Sequence, residues 1–200
     1  MSAAFDDFEN RDVRDLIDEY PLAWVCAADG DAAHVSLLPL LAECDADGRL
    51  THLIGHMGRR NPLHAALSGS PRALILFRGP EGYISPEYAG TRDWAPTWNY
   101  AQISIEAEIV FEPERSGEAL SLLVGAMESA RANPWKVIEL GDRYTAMERQ
   151  IIGFRARVTR LSGKFKLGQD EQPETLSMIL DHVSDPALAR WMRRFNPERV

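Results

Sequence analysis

Trp98-Asn99-Tyr100-Ala101-Gln102-Ile103-Ser104-Ile105-Glu106-Ala107-Glu108-Ile109-Val110-Phe111 decides the fold. From Ala101 onward the apolar residues fall at every second position: Ala101, Ile103, Ile105, Ala107, Ile109 and Phe111. That period of two is a β-strand with one face in a core. Trp98 and Tyr100 have the other parity, shared with Gln102, Ser104, Glu106 and Glu108. Without a bulge, two large amphipathic rings therefore sit on the half-polar face. Rings so placed cover a ligand or a partner chain, or they cap an open barrel end. The pattern leaves both open. Before the strand, Gly79-Pro80-Glu81-Gly82-Tyr83-Ile84-Ser85-Pro86 reads as a loop, and Pro96 leads into the strand through an extended residue.

Working outward, 200 residues with 45% hydrophobic content suffice for one sizeable core, or for one domain with an appendage. The net charge of −8 argues against holding a phosphate backbone by bulk charge, but not against a local basic patch. Cys26 and Cys44 form no zinc or CxxC spacing and read as reduced, buried thiols of a cytoplasmic protein. The acidic N-terminus lacks an apolar signal core, and no apolar run is long enough to span a bilayer.

Asn10 caps a helix through Tyr20, whose buried stripe is Val13, Leu16, Ile17 and Tyr20. Leu22 to Ala28 reads as a buried strand. The turn Asp29-Gly30-Asp31 joins it to a partner from Ala33 to Glu43. Asp45-Ala46-Asp47-Gly48 then leads to a third strand, Leu50 to Met57. Tight Asp/Gly turns make these an antiparallel meander. Asn61 as cap with Pro62 at the first helical position starts a helix to about Leu67. Its free N–H groups lie beside Arg59 and Arg60, which makes either an anion site or a solvated basic turn.

Pro71 to Phe77 reads as a central strand, with Tyr83 and Ile84 extending it past a break at Gly79-Pro80. Helices are expected over Ser116–Arg131, with Leu120, Leu123, Val124 and Met127 on one face, and over Arg143–Arg149. The last strand is Ile151 to Leu161, with Ile152, Phe154, Ala156 and Val158 inward. Ser162 to Gln169 reads as a basic, glycine-bounded loop. Two amphipathic helices close the chain near Glu174–Val183 and Asp185–Phe195. Six or seven antiparallel strands with added helices make a mainly β protein, a small barrel. Such a barrel pairs through an exposed face, so a homodimer with ligand sites at the seam is expected.

Several chemistries find no support. No Gly-x-Ser-x-Gly elbow accompanies Ser36 or Ser85. His52 and His56 share a strand face but lack a third ligand at a convincing spacing. No Gly-x-Gly-x-x-Gly follows a strand. The last helix carries Arg190, Arg193 and Arg194, but a C-terminal packing arm explains the final pair of helices at least as well as a helix-turn-helix.

Three motifs carry a resemblance. Gly79-Pro80-x-x-Tyr83-Ile84-Ser85-Pro86, Pro96-Thr97-Trp98-Asn99-Tyr100 and Leu161-Ser162-Gly163-Lys164-Phe165-Lys166-Leu167-Gly168-Gln169 resemble the PaiB-like family. His34 and Gly55-His56-x-x-Arg59-x-Asn61-Pro62 are similar to it too, so the match spans about Pro21 to Gln169. Its members are described as FMN-binding negative transcriptional regulators. The resemblance implies a flavin-binding split barrel like pyridoxamine-phosphate oxidase, a homodimer with FMN between subunits. It puts the flavin phosphate at Arg59, Arg60 and Asn61. The strand holding His34 and Ser36 would run past the flavin ring, near His56. Trp98, Asn99 and Tyr100 would close the site, with Lys164 and Lys166 offered from the other subunit. The chain departs from the family at Pro86-Glu87-Tyr88, where members carry Pro-Ser-Trp-Tyr, and Trp94 is the candidate substitute.

The sequence thus predicts a split-barrel FMN-binding domain over 1–169, with a helical insertion near 116–149, and a C-terminal helical arm over 170–200. The expected function is transcriptional or metabolic regulation. A flavin-dependent oxidoreductase, or a haem-binding barrel with His56 or His34 as ligand, are the alternatives. DNA stays an open partner, because no secure DNA-reading element is found.

Overall fold

The structure, a computed structural model, describes residues 3–28 and 34–199. Six strands close into an antiparallel barrel in the order β1-β2-β3-β6-β5-β4. They are β1 Leu22–Ala27, β2 Val35–Cys44, β3 Leu50–Gly58, β4 Arg72–Ile84, β5 Thr97–Phe111 and β6 Ile151–Lys166. Helices α1 Asn10–Glu19, α2 Pro62–Gly69, α3 Ser116–Glu128, α4 Arg143–Glu148, α5 Pro173–His182 and α6 Pro186–Arg194 complete it. The expected turn at Asp29-Gly30-Asp31, and Ala33, lie outside the described residues.

Two compact units result. One comprises Asn10–Phe77 and Ser104–Leu161; the other comprises Met1–Glu9, Arg78–Ile103 and Ser162–Val200. In the first unit, β1 pairs with β2 and β4, β2 with β3, and β3 with β6, all antiparallel. Their inward residues include Ala23, Val25, Leu40, Leu53, Ile75 and Phe77, all buried. Gly55 sits among them. A Cβ there would lie 2.5 Å from Leu40 Cδ2 and 2.8 Å from Phe154 Cζ, so only a bare backbone fits between those side chains. Val13, Leu16 and Ile17 make the buried stripe of α1, which packs on β2 and β3, while Tyr20 is half-buried.

The alternation of β5 is observed: Ala101, Ile103, Ile105, Ala107 and Ile109 are buried. Several expectations are corrected. β1 is not buried on both faces. Trp24, opposite Leu37 on β2 and Leu76 on β4, is 50% exposed; Leu37 is 46% and Leu76 37% exposed. Leu22 and Val35 continue this open apolar face. On α3 the buried residues are Ser116, Ala119 and Leu123, and Met127 is exposed. Helix α3 approaches the sheet at Gly153, where a Cβ would come 3.1 Å from the Ser116 backbone, so its contact face is set by that close approach. The two thiols are free and half-buried, and desolvation pushes each above its ordinary pKa.

Two glycine-rich stretches read as loops are strands. β4 runs unbroken through Gly79-Pro80, and β6 continues through Ser162-Gly163 to Lys166. Gly82 and Gly163 serve close packing, not turning. A Cβ at Gly82 would meet Leu188 Cδ2 at 2.6 Å, and one at Gly163 would meet the Phe8 ring at 2.8 Å. In this second unit Phe165 stacks on Phe195 and Trp191, with centroids 5.1 and 6.0 Å apart. Asn196, also buried, donates to the carbonyls of Leu167 (3.1 Å) and Met192 (2.8 Å). Helix α6 therefore packs on the end of β6 within this second unit.

Candidate functional site

The sequence-derived residues fall into two groups, one in each unit. In the barrel unit, Asn61 caps α2 as expected: its Oδ1 accepts from Leu63 N at 3.0 Å, with Pro62 at the first helical position. Its Nδ2 donates to Ser36 Oγ at 2.9 Å, which joins the β2 residue to the helix start. Ser36 and Asn61 are thus brought together. His34 precedes β2, half-buried, and its carbonyl accepts from Ala27 N at 3.0 Å. His56 lies on β3 opposite Gly153. Its Nδ1 is buried without a hydrogen-bond partner, and desolvation holds the imidazole below its ordinary pKa. No hydrogen bond ties either histidine to Ser36 or Asn61 among the described residues.

Arg59 and Arg60 follow β3 and line a cavity of about 450 Å³ with Gly58, Arg149 and Gln150. Arg149 stands at the end of α4, 90 residues from Arg59 in the chain. Arg59 Nε donates to the Arg149 carbonyl at 3.1 Å, and Arg59 N donates to the Gln150 carbonyl at 2.8 Å. His64 Nδ1 reaches the Arg59 carbonyl at 3.0 Å. No carboxylate pairs with any of the three guanidiniums among the described residues. Three exposed, unpaired cations around one cavity are a donor set for a multiply charged oxyanion. Sequence reasoning missed Arg149. Only its position at a helix end marked it, and cations are common there.

In the second unit, Trp98 and Tyr100 line a cavity of about 360 Å³ with Arg78, Glu81 and Gln102. Trp98 is 53% exposed and meets Tyr83 edge-on at 5.8 Å. Asn99, the intervening residue, has the opposite parity. It is buried, and its Nδ2 is 3.7 Å from Met192 Sδ, so it packs inside rather than beside the two rings. Lys166 donates to Thr97 Oγ1 and, at 3.3 Å, to the Trp98 carbonyl. Lys164 pairs with Asp6 at 2.6 Å. Both ammonium groups stand 5.9 Å from the centre of the Phe5 ring. The two lysines are thus engaged within their own chain.

Where the chain departs from the family pattern, Ser85, Pro86, Glu87, Gly90, Thr91 and Arg92 line a cavity of about 670 Å³. Tyr88 stacks on His182 at 5.7 Å, and Trp94 Nε1 donates to Glu171 at 3.0 Å.

Against known proteins, residues 1–160 match the family model described as "Putative FMN-binding domain". The matched range leaves out the last of the three motifs, Leu161 to Gln169. The chain is 24% identical over 136 residues to protease synthase and sporulation protein PAI 2 of Bacillus subtilis, covering 67% of this chain and 65% of that protein. It is 28% identical over 160 residues to an uncharacterized protein of Emericella nidulans, covering 62% and 64%. The chain thus spans somewhat under two thirds of the length of these curated relatives. Among solved structures, the FAD and haem binding protein of Mycobacterium smegmatis aligns with a TM-score of 0.62 at 15% identity, covering 86% of this chain and 78% of that one. The flavocytochrome Anf3 of Azotobacter vinelandii aligns at 0.59, also at 15% identity, covering 84% and 73%. Both share the barrel fold. No described helix is long and apolar enough to cross a membrane.

Proposed function

From the premise that this chain belongs to the FMN-binding family, with FMN as its cofactor, we propose that it is a homodimeric regulator of the PaiB type. The cavity of unpaired arginines carries this reading. Arg59 and Arg60, beside the capped start of α2, would hold the flavin phosphate. Ser36 would set the position of Asn61 at its edge. The residues fit the group, because a phosphate monoester supplies the negative charge that these guanidiniums lack. FMN, when bound, supplies one- and two-electron redox chemistry, and the chain supplies binding and orientation. Trp98 and Tyr100 would present aromatic faces to a ligand in their own cavity.

Two further points belong to the same reading. The open apolar face of Leu22, Trp24, Val35, Leu37 and Leu76 suits a second copy of the chain. The regulatory role is our reading of the likeness to the Bacillus relative named protease synthase and sporulation protein PAI 2. Arg193, exposed on α6, is a cation that such a dimer would offer to DNA.

The first test is the visible absorption spectrum of the desalted protein with and without added FMN. Retained flavin bands support the reading, and a colourless protein that takes up no FMN overturns it. Bleaching of the bound flavin by NADH or NADPH would replace the regulator with an oxidoreductase. Trp24→Asp should convert a dimer to a monomer in sedimentation velocity. An unchanged sedimentation coefficient would remove that face from the interface.

A further inference from the structure

We infer that Arg149 is a third cation of the phosphate cavity, supplied by the end of the helical insertion, and that it makes the cavity select a phosphate monoester over an uncharged flavin. This rests on the reading above that the cavity takes the flavin phosphate.

Placement is the first argument. Arg149 lines the same cavity as Arg59 and Arg60, and its backbone is clasped there. Its carbonyl accepts from Arg59 Nε at 3.1 Å, and the next carbonyl accepts from Arg59 N at 2.8 Å. The following rung is the β3–β6 pair Gly58 and Ile151. The Cα of Arg149 is therefore fixed to the barrel even though its side chain is exposed.

Charge is the second argument. The chain has 30 acidic residues, and Arg78, Arg115, Arg131, Arg155, Arg157 and Arg160 each pair with a carboxylate. Among the described residues Arg59, Arg60 and Arg149 do not, and unlike the equally unpaired Arg143 they line one cavity together. Three like charges lining one cavity repel one another, and each added anionic charge relieves more of that repulsion. A phosphate monoester carries about −1.5 to −2 at neutral pH, so it matches this set better than a monoanion does. Arg59 has spent its Nε on Arg149, which leaves its two terminal nitrogens for a ligand.

The test titrates full-length protein with FMN, with riboflavin and with inorganic phosphate as competitor, followed by flavin fluorescence. The wild type should bind FMN more tightly than riboflavin. Arg149→Ala should weaken FMN by about tenfold, leave riboflavin unchanged and blunt the competition by phosphate. Arg149→Lys should recover part of the loss, since it keeps the charge without the fork. Arg143→Ala, on the same helix but outside the cavity, should behave as wild type. Arg149→Gln, which keeps most of the side chain, carries the test should Arg149→Ala fail to fold. A wild type that prefers FMN, with an Arg149→Ala or Arg149→Gln variant that prefers it equally, overturns the inference and leaves Arg59 and Arg60 as the phosphate site. A wild type that binds FMN and riboflavin alike overturns the cavity reading itself.

Discussion

Arg155 and Arg149 lie close together in the chain and have opposite surroundings. Arg155 projects from β6 between Glu43, 3.1 Å from its Nε, and Glu112, 2.9 Å from its Nη1. Its charge is used up inside the molecule. Arg149 faces a cavity that it shares with two other unpaired guanidiniums. A charge answered by its own chain contributes to folding, whereas several unanswered charges lining one cavity suit an anion from outside. Two of the chain's five tryptophans divide in the same way. Trp191 is 1% exposed and packs against both Phe165 and Phe195; Trp24 is 50% exposed on an open sheet face.

Substitutions can sharpen or break this division. The largest effect is expected at the answered tryptophan: Trp191→Ala should cost about 3–5 kcal/mol in urea unfolding. A loss comparable to that of a surface change would mean that the stack is not a core. Next, Arg155→Ala leaves Glu43 without its arginine and Glu112 with only Arg115, 3.4 Å away, and should cost about 1–3 kcal/mol of stability. FMN affinity should not move. Arg60→Ala should show the mirror image: FMN binding weaker by about 1–3 kcal/mol, with stability changed by no more than about 0.5 kcal/mol. If Arg60→Ala destabilised the fold and spared FMN, the division would fail at its centre.

The smallest effect is a pH dependence at His56, an unanswered polar group of a different kind. Burial holds its imidazole below the ordinary value of 6.5, so the unfolded chain takes up a proton that the folded chain refuses. Stability from this source is full above about pH 6.5 and falls as the pH is lowered through that value towards the folded pKa. In FMN-free protein, His56→Leu should flatten the fall in melting temperature between about pH 7.5 and pH 5.5. An unchanged slope would assign that fall to other groups.

Much of this was legible in the sequence, for identifiable reasons. The β5 alternation and the Asn61-Pro62 cap are local rules, and local rules are written in neighbouring residues. The strand character of the stretches holding Gly82 and Gly163 was not legible, because a glycine admitting Leu188 or Phe8 looks the same in sequence as a glycine making a turn. The open face of β1 was hidden for a similar reason: Leu22, Trp24 and Val25 are all apolar, and composition does not say which side lacks a cover. Asn99 shares the parity of Ala101, so its burial could be read, but its neighbours Trp98 and Tyr100 drew it into the site. Arg149 could not be found at all without the fold that brings it to Arg59.

Gly55 makes a different kind of statement about the barrel. Its α-hydrogens occupy space that Leu40 and Phe154 have otherwise filled, whereas Gly58, three positions on, faces nothing within 4 Å. In a saturation library selected for folded protein, position 55 should return glycine almost alone, and position 58 should return nearly the whole alphabet. Two identical letters on one strand would differ entirely in their tolerance of replacement.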